Sequence, residues 1–585
     1  MLLLKLREYA DRVPEEDTSP PLYERKPVRY EVRLRTDGSP ARIIPLSGGG
    51  KRDLGLPMFM PAVVRSSGVR PKLLADTAEY ALGWGREDRA RRYHEAFIEL
   101  VRACAQDVRE PAVDAVLRYL ELPDEQRAPR PADFETERNV TFSVDGVFPI
   151  DLPSVRAWWA AYADRSAGAG DANTQCLVCG QFKPIVDRLP FPIKGLSGIG
   201  GQPSGSALIS ANASAFESFG LSANYTAPTC AECAEKFCKA LNTLIAGEDT
   251  RLYLGPLLYV FWTREPTTYR FGSTVAEPTA QNVAELLTAA RKARTGAQDL
   301  DPNHFYCVSL AGSGGRVAVR DWIDVTLTEA QANLARYFAA QHIVNRSGVA
   351  GEYIGIKQLI RTLEPPGKGD VAPSVPRLLM RAALHGDPLP TWLLAQTLRR
   401  IHAEQGAVGH PRAALIKLVL ATNDERGIYQ QRNLDALEAY MSGLDPENRS
   451  APYLCGRLLA VLDSIQRAAL GQRNATIIDR FFGAASTAPV SVFGRLVRGA
   501  QPHLAKMRRD RPGAYVALES RLQEILAGID TFPRTLSINQ QGEFVLGYYH
   551  QRAHDIAQAM QRRAARGASE PALAEASDDE FELEG

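Results

Sequence analysis

The residue types and spacings with the most chemical content lie between Cys176 and Cys233. Cys176-Leu-Val-Cys179 and Cys230-Ala-Glu-Cys233 are two Cys-x-x-Cys pairs. Four thiolates at that spacing can close a tetrahedron around Zn2+. Fifty residues separate the pairs, more than a compact zinc ribbon uses, so a large insertion is expected between the two knuckles. The alternative is four small buried hydrophobes, a common state of reduced cysteine. A closed four-thiolate site has no open coordination position, so a metal there is expected to staple the chain and take no part in chemistry.

The bracketed insertion is poor in side chains. Residues 195–206 (GLSGIGGQPSGS) hold five glycines and three serines, with Lys194 at the mouth. That is too little apolar matter for a core, and it leaves bare backbone N–H groups able to approach a phosphate or a groove edge. A plain surface linker is the other reading. Two basic stretches add to this. Arg65, Arg70 and Lys72 flank a Ser66-Ser67-Gly68 turn, where a merely solvated turn is the alternative. Near the C-terminus, Arg473, Arg480, Arg495, Arg498, Lys506, Arg508, Arg509 and Arg511 stand among Asn474, Phe481, Phe482 and Phe493. Basic side chains track a phosphate chain and aromatics stack bases, which suits a single strand. The phenylalanines read better as core, and Arg508, Arg509 and Arg511 as phosphate contacts.

Three enzyme-like signals carry less. AGSGGR (311–316) lacks the Gly-Lys-Ser/Thr ending of a phosphate loop and is read as a hairpin turn. His550, His554 and Asp555 have helical metal spacing but lack a zincin glutamate. Cys104, Cys238, Cys307 and Cys455 show no partner pattern and are read as core.

The elements that must position these groups follow from periodicity. Residues 1–75 alternate short strand-like runs with turns, after an amphipathic start MLLLKLREYADRV. Residues 76–127 turn helical, with Tyr80, Leu82, Tyr93, Phe97, Leu100, Val101 and Cys104 spaced for one face. NVTFSVDGVFPI (139–150) reads as strand, Val155–Tyr162 as helix, and LYLGPLLYVFW (252–262) as a buried strand or two broken at Gly255-Pro256. Residues 304–325 read as a hairpin. Helices dominate from about residue 329, and Pro489, Pro502 and Pro512 mark helix joints. The expected fold is α+β multidomain: a mixed α/β N-terminal part with a four-cysteine zinc-knuckle-like insertion, then an all-α C-terminal helical bundle. The expected segments are 1–170, the Cys-bracketed module 171–240, a strand-rich part 241–363, a Pro/Gly linker, a helical unit 377–440, a bundle 441–566 and an acidic disordered tail 567–585.

Composition limits the classes. At 585 residues the chain is too long for one core. Its 69 basic and 68 acidic residues give a net charge of +1, so any nucleic-acid surface is local. Residues 451–560 carry 13 Lys/Arg against 8 Asp/Glu. No stretch reaches the roughly 18–20 apolar residues of a membrane span. Eight cysteines are too sparse for a disulfide scaffold, and the cytoplasm is the expected compartment.

Three blocks, in order, carry a family resemblance. They are RSSGVRPK with LLADTAEYALG, the run from Lys194 through Gln202-Pro-Ser-Gly to AFESFG, and PYLCGRLLAVLDSIQRAALGQRNATIIDRFFGAASTAPVSVFGRLV followed by EFVLGYYHQR. Together they resemble the large subunit of subtype I-C CRISPR surveillance complexes (Cascade). The resemblance implies a non-catalytic subunit of a guide RNA-containing particle, with backbone subunits, a subunit that binds the 5′ handle, and small subunits as partners. It implies recognition of the protospacer-adjacent motif (PAM) on double-stranded DNA, the start of unwinding, R-loop formation, support of the displaced strand, and recruitment of a separate helicase-nuclease. It carries DNA or PAM contact to Lys194, Gly198, Gly200, Gly201, Gln202, Ser204, Gly205, Arg65, Ser66 and Lys72. It does not demand the four cysteines. Met441 is a candidate internal start for a small subunit. From other classes, the alternatives are a zinc-containing nuclease or hydrolase acting on nucleic acid, and a scaffold that binds protein only.

Overall fold

A computed structural model describes residues 1–13, 20–47, 53–63, 65, 68–167, 174–186, 188–189, 191–211, 214–217, 219–221, 223–295, 303–365, 371–471 and 475–567. The described chain is mixed α+β with a helical C-terminal region, the class expected from periodicity. It forms two compact units. One comprises Met1–Glu248 with Leu310–Arg320, and the other Asp249–Ser309 with the chain from Asp321 onward.

In the first unit, the N-terminal leucines form α1 (Leu2–Ala10). Strand β1 (Tyr23–Val28) pairs antiparallel with β4 (Leu56–Pro61). A second sheet runs in the order β3 (Pro40–Pro45), β2 (Tyr30–Leu34), β6 (Asn139–Val144), β5 (Ala75–Thr77). Its central pair β2–β6 is parallel, with Tyr30 opposite Val140. A parallel pair needs a crossover, and α2 (Ala78–Ala81), α3 (Glu87–Val108) and α4 (Pro111–Glu121) lie within it. The helical run of 76–127 is thus three helices. Arg109 adopts a left-handed φ of 56° and Pro111 opens α4, which together end α3. Helix α5 (Pro153–Ala167), the two-residue strands β7 (Thr174–Gln175) and β8 (Phe182–Lys183), and α6 (Ala231–Ala246) complete the unit. Helix α1 packs on α6.

In the second unit, β9 (Arg251–Leu254) and β10 (Leu257–Thr263) form an antiparallel hairpin across Gly255-Pro256. Every β10 residue is buried, as a central strand covered on both faces requires. The sheet order is β12 (Arg316–Thr326), β11 (His304–Ser313), β10, β9, with the stretch Leu310–Arg320 of β11 and β12 counted in the first unit. Around it and beyond it come α7 (Phe271–Ala276), α8 (Ala280–Thr295), α9 (Leu327–Gln341), α10 (Ile356–Arg361), α11 (Ser374–Leu384), α12 (Thr391–Ala403), α13 (His410–Thr422) and α14 (Leu434–Ala439). The last helices are α15 (Ala451–Leu470), α16 (Ile477–Thr487), α17 (Phe493–Asp510), α18 (Pro512–Ala527) and α19 (Ile538–Gly567). Helix α15 is buried along most of its length and packs against α16, α17, α18 and α19. It lies against α19 backbone to backbone: a Cβ on Gly456 would sit 1.9 Å from the Phe544 carbonyl oxygen, and one on Gly547 2.2 Å from that of Tyr453.

One helix joint is corrected. Pro489 and Pro512 stand at helix starts, but Pro502 lies inside α17. Its ring faces solvent, so the carbonyl it leaves without an N–H partner can turn to water. The expected acidic tail lies, from residue 568, outside the described residues, as does 366–370 of the Pro/Gly linker. Among the described residues no helix is long and apolar enough to cross a membrane.

Candidate functional site

The four cysteines of the two knuckles come together. Their Sγ atoms all lie within 4.8 Å of one another, with Cys176, Cys230 and Cys233 buried. The local backbone explains the convergence. Gly180, at φ +71°, turns the chain so that its N–H bonds the Cys176 carbonyl at 2.8 Å and the Cys176 N–H bonds the Gln181 carbonyl at 2.9 Å. Cys230 caps α6, Cys233 lies in its first turn, and the Cys230 N–H points at the Cys176 sulfur at 3.4 Å. Hydrogen bonds from the neighbouring thiols, that of Cys233 foremost, hold the Cys230 thiol down at about 5. The Cys233 thiol is pushed up, first by its hydrogen bond to Cys230 and then by burial. Such a hydrogen-bonded cluster of thiols matches a metal site, because a divalent cation replaces thiol protons on binding. With Zn–S bonds of about 2.3 Å, a tetrahedron has S–S edges of about 3.8 Å, so a small contraction of the cluster suffices. Glu232, inside the second knuckle, is held down to about 2 by Lys236 and Lys183. The Lys183 pair, at 3.0 Å, ties β8 to α6.

The Gly-rich segment stands on this base. Ile193 and Ser206 exchange backbone hydrogen bonds of 2.8 and 2.9 Å and close its neck. Leu196 and Ile199 are buried anchors, whereas Lys194, Gly198, Gly200, Gln202 and Ser204 are exposed and Gly201 and Gly205 half-buried. The segment has a second support that the sequence reading missed. The hairpin tip between β11 and β12 docks on it: Gly314 N–H to the Gly200 carbonyl at 3.1 Å, Ala207 N–H to Gly315 at 2.8 Å, and Val317 N–H to Ala207 at 2.9 Å. The buried Ser206 hydroxyl donates to the Gly314 carbonyl at 2.9 Å and accepts from the Gln202 N–H at 3.2 Å. Contact is so close at Gly312 that a Cβ there would lie 2.1 Å from the Gly201 nitrogen. AGSGGR is therefore a turn, as expected, and also a strap over the loop. Beyond the strap, the Arg316 guanidinium sits 4.0 Å over the Phe216 ring, and Phe219 is 98% exposed. Neither was anticipated, because an isolated Phe in a Ser/Ala-rich run carries no periodic signal.

Lys194 lies beside a carboxylate that serves three lysines. Glu24 is 3.4 Å from Lys26, 3.4 Å from Lys72 and 3.9 Å from Lys194. Of these, the ammonium groups of Lys26 and Lys194 stand at the loop's mouth with Glu24 as their common acid. Within this cluster the role expected of Lys72 needs correction. Its side chain is buried on Glu24, its backbone N–H donates to Asp76 at 2.8 Å, and burial pulls its ammonium below the usual range against the pull of Glu24 and Asp76. Lys72 is a structural ion-pair member and does not present its charge to solvent. Arg65 is half-exposed, paired with the buried Asp76 and stacked 4.1 Å over Tyr80. Ser66 lies outside the described residues.

In the helical region, Arg480, Arg495, Arg498, Arg508, Arg509 and Arg511 are exposed. Arg495 covers the Phe481 ring at 4.6 Å, and Lys506 donates to the Ala469 carbonyl at 2.8 Å. Phe482 and Phe493 are buried, as read. Arg473 and Asn474 lie outside the described residues. Among the described residues the histidine pair gathers no metal set. His550 is fully buried on the Tyr453 hydroxyl at 3.0 Å, with its imidazole pushed down to about 3 by burial. His554 contacts Gln558, and Asp555 is paired with Arg521. Cys104, Cys238, Cys307 and Cys455 are all buried.

A profile of the family described as CRISPR-associated protein (Cas_Csd1) matches residues 6–555. The chain belongs to this family. No curated protein matches it. The match spans both units and all the groups described above. Family membership makes the chain a CRISPR-associated protein and supports a place in a Cascade-type complex.

Proposed function

We propose that this family member is the non-catalytic large subunit of a subtype I-C Cascade. It reads the PAM on duplex DNA, begins strand separation, steadies the displaced strand and helps bring in the helicase-nuclease. Sequence discrimination beyond the PAM then rests on guide–target pairing. The observation that carries the reading is the segment Lys194–Gly205. It is held at its neck, strapped by a second hairpin, and bare of bulky side chains where it is exposed. Such a backbone can lie in a narrow groove, with Gln202 offering donor and acceptor to base edges and Lys194 a phosphate contact. The Cys176, Cys179, Cys230 and Cys233 cluster would hold Zn2+, which would supply structural closure of the module's base and no reactive position. Arg508, Arg509 and Arg511, exposed at the end of α17, would meet the displaced strand. A near-neutral total charge suits fast sampling of DNA, since strong nonspecific adhesion slows a search.

The test is binding of PAM-containing duplex by the assembled complex. Gln202→Ala is expected to abolish target binding where the PAM is required while leaving assembly with guide RNA intact. Normal binding by that variant would overturn the assignment of the loop.

A further inference from the structure

A cavity of about 800 Å³ in the second unit opens between α19, the start of α16 and the turn that follows α12. Three arginines line it: Arg346, Arg467 and Arg552. Arg346 is exposed, and its guanidinium has no hydrogen-bond or ion-pair partner among the described residues. Arg467 and Arg552 share one carboxylate oxygen of the fully buried Asp463, at 2.8 and 3.2 Å. Arg467 uses only its Nε there and Arg552 only one terminal nitrogen, so both keep N–H groups for another anion. The two acids on the lining are already partnered. Glu404 is held by Arg400 and Arg412, and Asp479 by the backbone N–H and hydroxyl of Thr476. With these partners included, five arginines stand against three acids. Val408, Ile478 and Ile556 supply an apolar side to the same cavity.

We infer that this cavity is the docking site of the chain's own acidic segment, residues 578–584. That stretch lies outside the described residues and reads Asp-Asp-Glu-Phe-Glu-Leu-Glu, with no base between 570 and 584. Its carboxylates meet the free edges of Arg346, Arg467 and Arg552, where guanidinium groups favour forked contacts. Its Phe581 and Leu583, alternating with the acids, meet the apolar side. A phosphodiester backbone supplies the charge without that alternation. The tether favours the chain's own segment over a free acidic peptide. Ile556 is on the lining, and α19 continues to Gly567, about 17 Å further at 1.5 Å per residue. From Gly567 to Asp578 the chain can span up to about 36 Å, enough to double back with slack. A short tether of this kind gives an effective concentration in the millimolar range. The inference holds whatever the Gly-rich loop binds.

Full-length protein with the photoreactive residue p-benzoylphenylalanine in place of Phe581 tests the docking. Irradiation of dilute protein should join position 581 to peptides spanning 404–408, 476–479 or 548–556, with a yield that falls as salt is raised. Arg346→Glu should cut that yield severalfold. Arg346 has no partner to lose, so its thermal unfolding midpoint should match wild type. Arg361→Glu, which changes an exposed arginine of α10 off the lining, should leave the yield as it is. Glu580→Lys/Glu582→Lys combined with Arg346→Glu should restore it. Crosslinks elsewhere, no crosslinks, or a yield indifferent to Arg346→Glu would overturn the inference. So would crosslinks found only between differently isotope-labelled copies, which would seat a second copy in the cavity. If no tail crosslink forms and oligothymidylate shields Arg346 from phenylglyoxal, the cavity belongs to nucleic acid and the inference falls.

Discussion

Between Ile193 and Ala207 the chain is held almost wholly by its own backbone, in a neck, a strap and two buried aliphatic anchors. Along α17 the surface is built the other way: a regular helix buries Phe493, Leu496, Leu504 and Met507 and lets long arginines reach outward from the opposite face. The loop gains a fixed main-chain shape with few side-chain rotamers to order. The helix fixes only the roots of its arginines, and their guanidinium groups stay adaptable. Reading a few letters of duplex needs the first kind of surface, because groove contacts fail when displaced by an ångström. Following a flexible strand needs the second, because charge matters there more than placement.

That contrast can be broken or sharpened by experiment. The largest effect is expected at the loop's base. Cys176→Ser/Cys230→Ser should remove about one equivalent of zinc, read by elemental analysis of protein purified without added metal. It should also expose residues 176–233 to limited proteolysis, since a structural zinc site supplies folding energy outright. Wild-type protein free of zinc would return the cluster to ordinary packing. Next comes the strap. Gly312→Val places branched carbon where a Cβ already meets the Gly201 nitrogen, so the two backbones must part. PAM-dependent binding should fall at least tenfold, roughly 1.4 kcal/mol, with zinc content unchanged. Full binding by that variant would show that the loop does not need its strap.

On the helical side, single losses should be mild and additive. Arg508→Ala/Arg509→Ala should weaken binding across sequences and flatten the salt slope by about one unit per lost phosphate contact, with no change in PAM preference. An unaltered slope would leave these arginines in solvent. The last effect concerns stability alone and leaves DNA binding near neutral pH untouched. The folded state holds His550 neutral down to about pH 3, whereas the unfolded chain protonates it near 6.5. Between those values the unfolded state binds the extra proton, so stability is lost as pH falls, with a slope of up to about 1.4 kcal/mol per pH unit from this group. His550→Gln should remove that share of the slope in denaturant titrations. An identical pH profile would show that His550 does not titrate in this way.

The same contrast decides how much could be read in advance. Helical periodicity gave the bundle and the helices after β5, because a buried face leaves a repeat in the residue types. The apolar run broken at Gly255-Pro256 read as a buried strand or two, and the structure folds it into the β9–β10 hairpin; the paired Cys-x-x-Cys spacing pointed to the cluster. What stayed hidden had no side-chain signature. The strap joins Gly200 and Gly201 to Gly312–Gly315 by backbone groups alone, and nothing in either glycine run names the other. Lys72 looked like a surface cation because its ion-pair partner, Glu24, reaches it through the fold from 48 residues upstream. Pro502 broke a helix on paper and not in space, because its freed carbonyl lies on the wet side.

The Ser206–Gly314 bond joins residues 108 positions apart. During synthesis the glycine segment leaves the ribosome well before its strap exists, and at about 5 to 20 residues per second that gap lasts from several seconds to some twenty. A nascent chain therefore lacks the strap across its glycine segment until β12 emerges. Chains that stall or are cut before that point carry the four cysteines without the docked hairpin, so, if the proposed role of the segment holds, truncated products should be poor competitors for DNA.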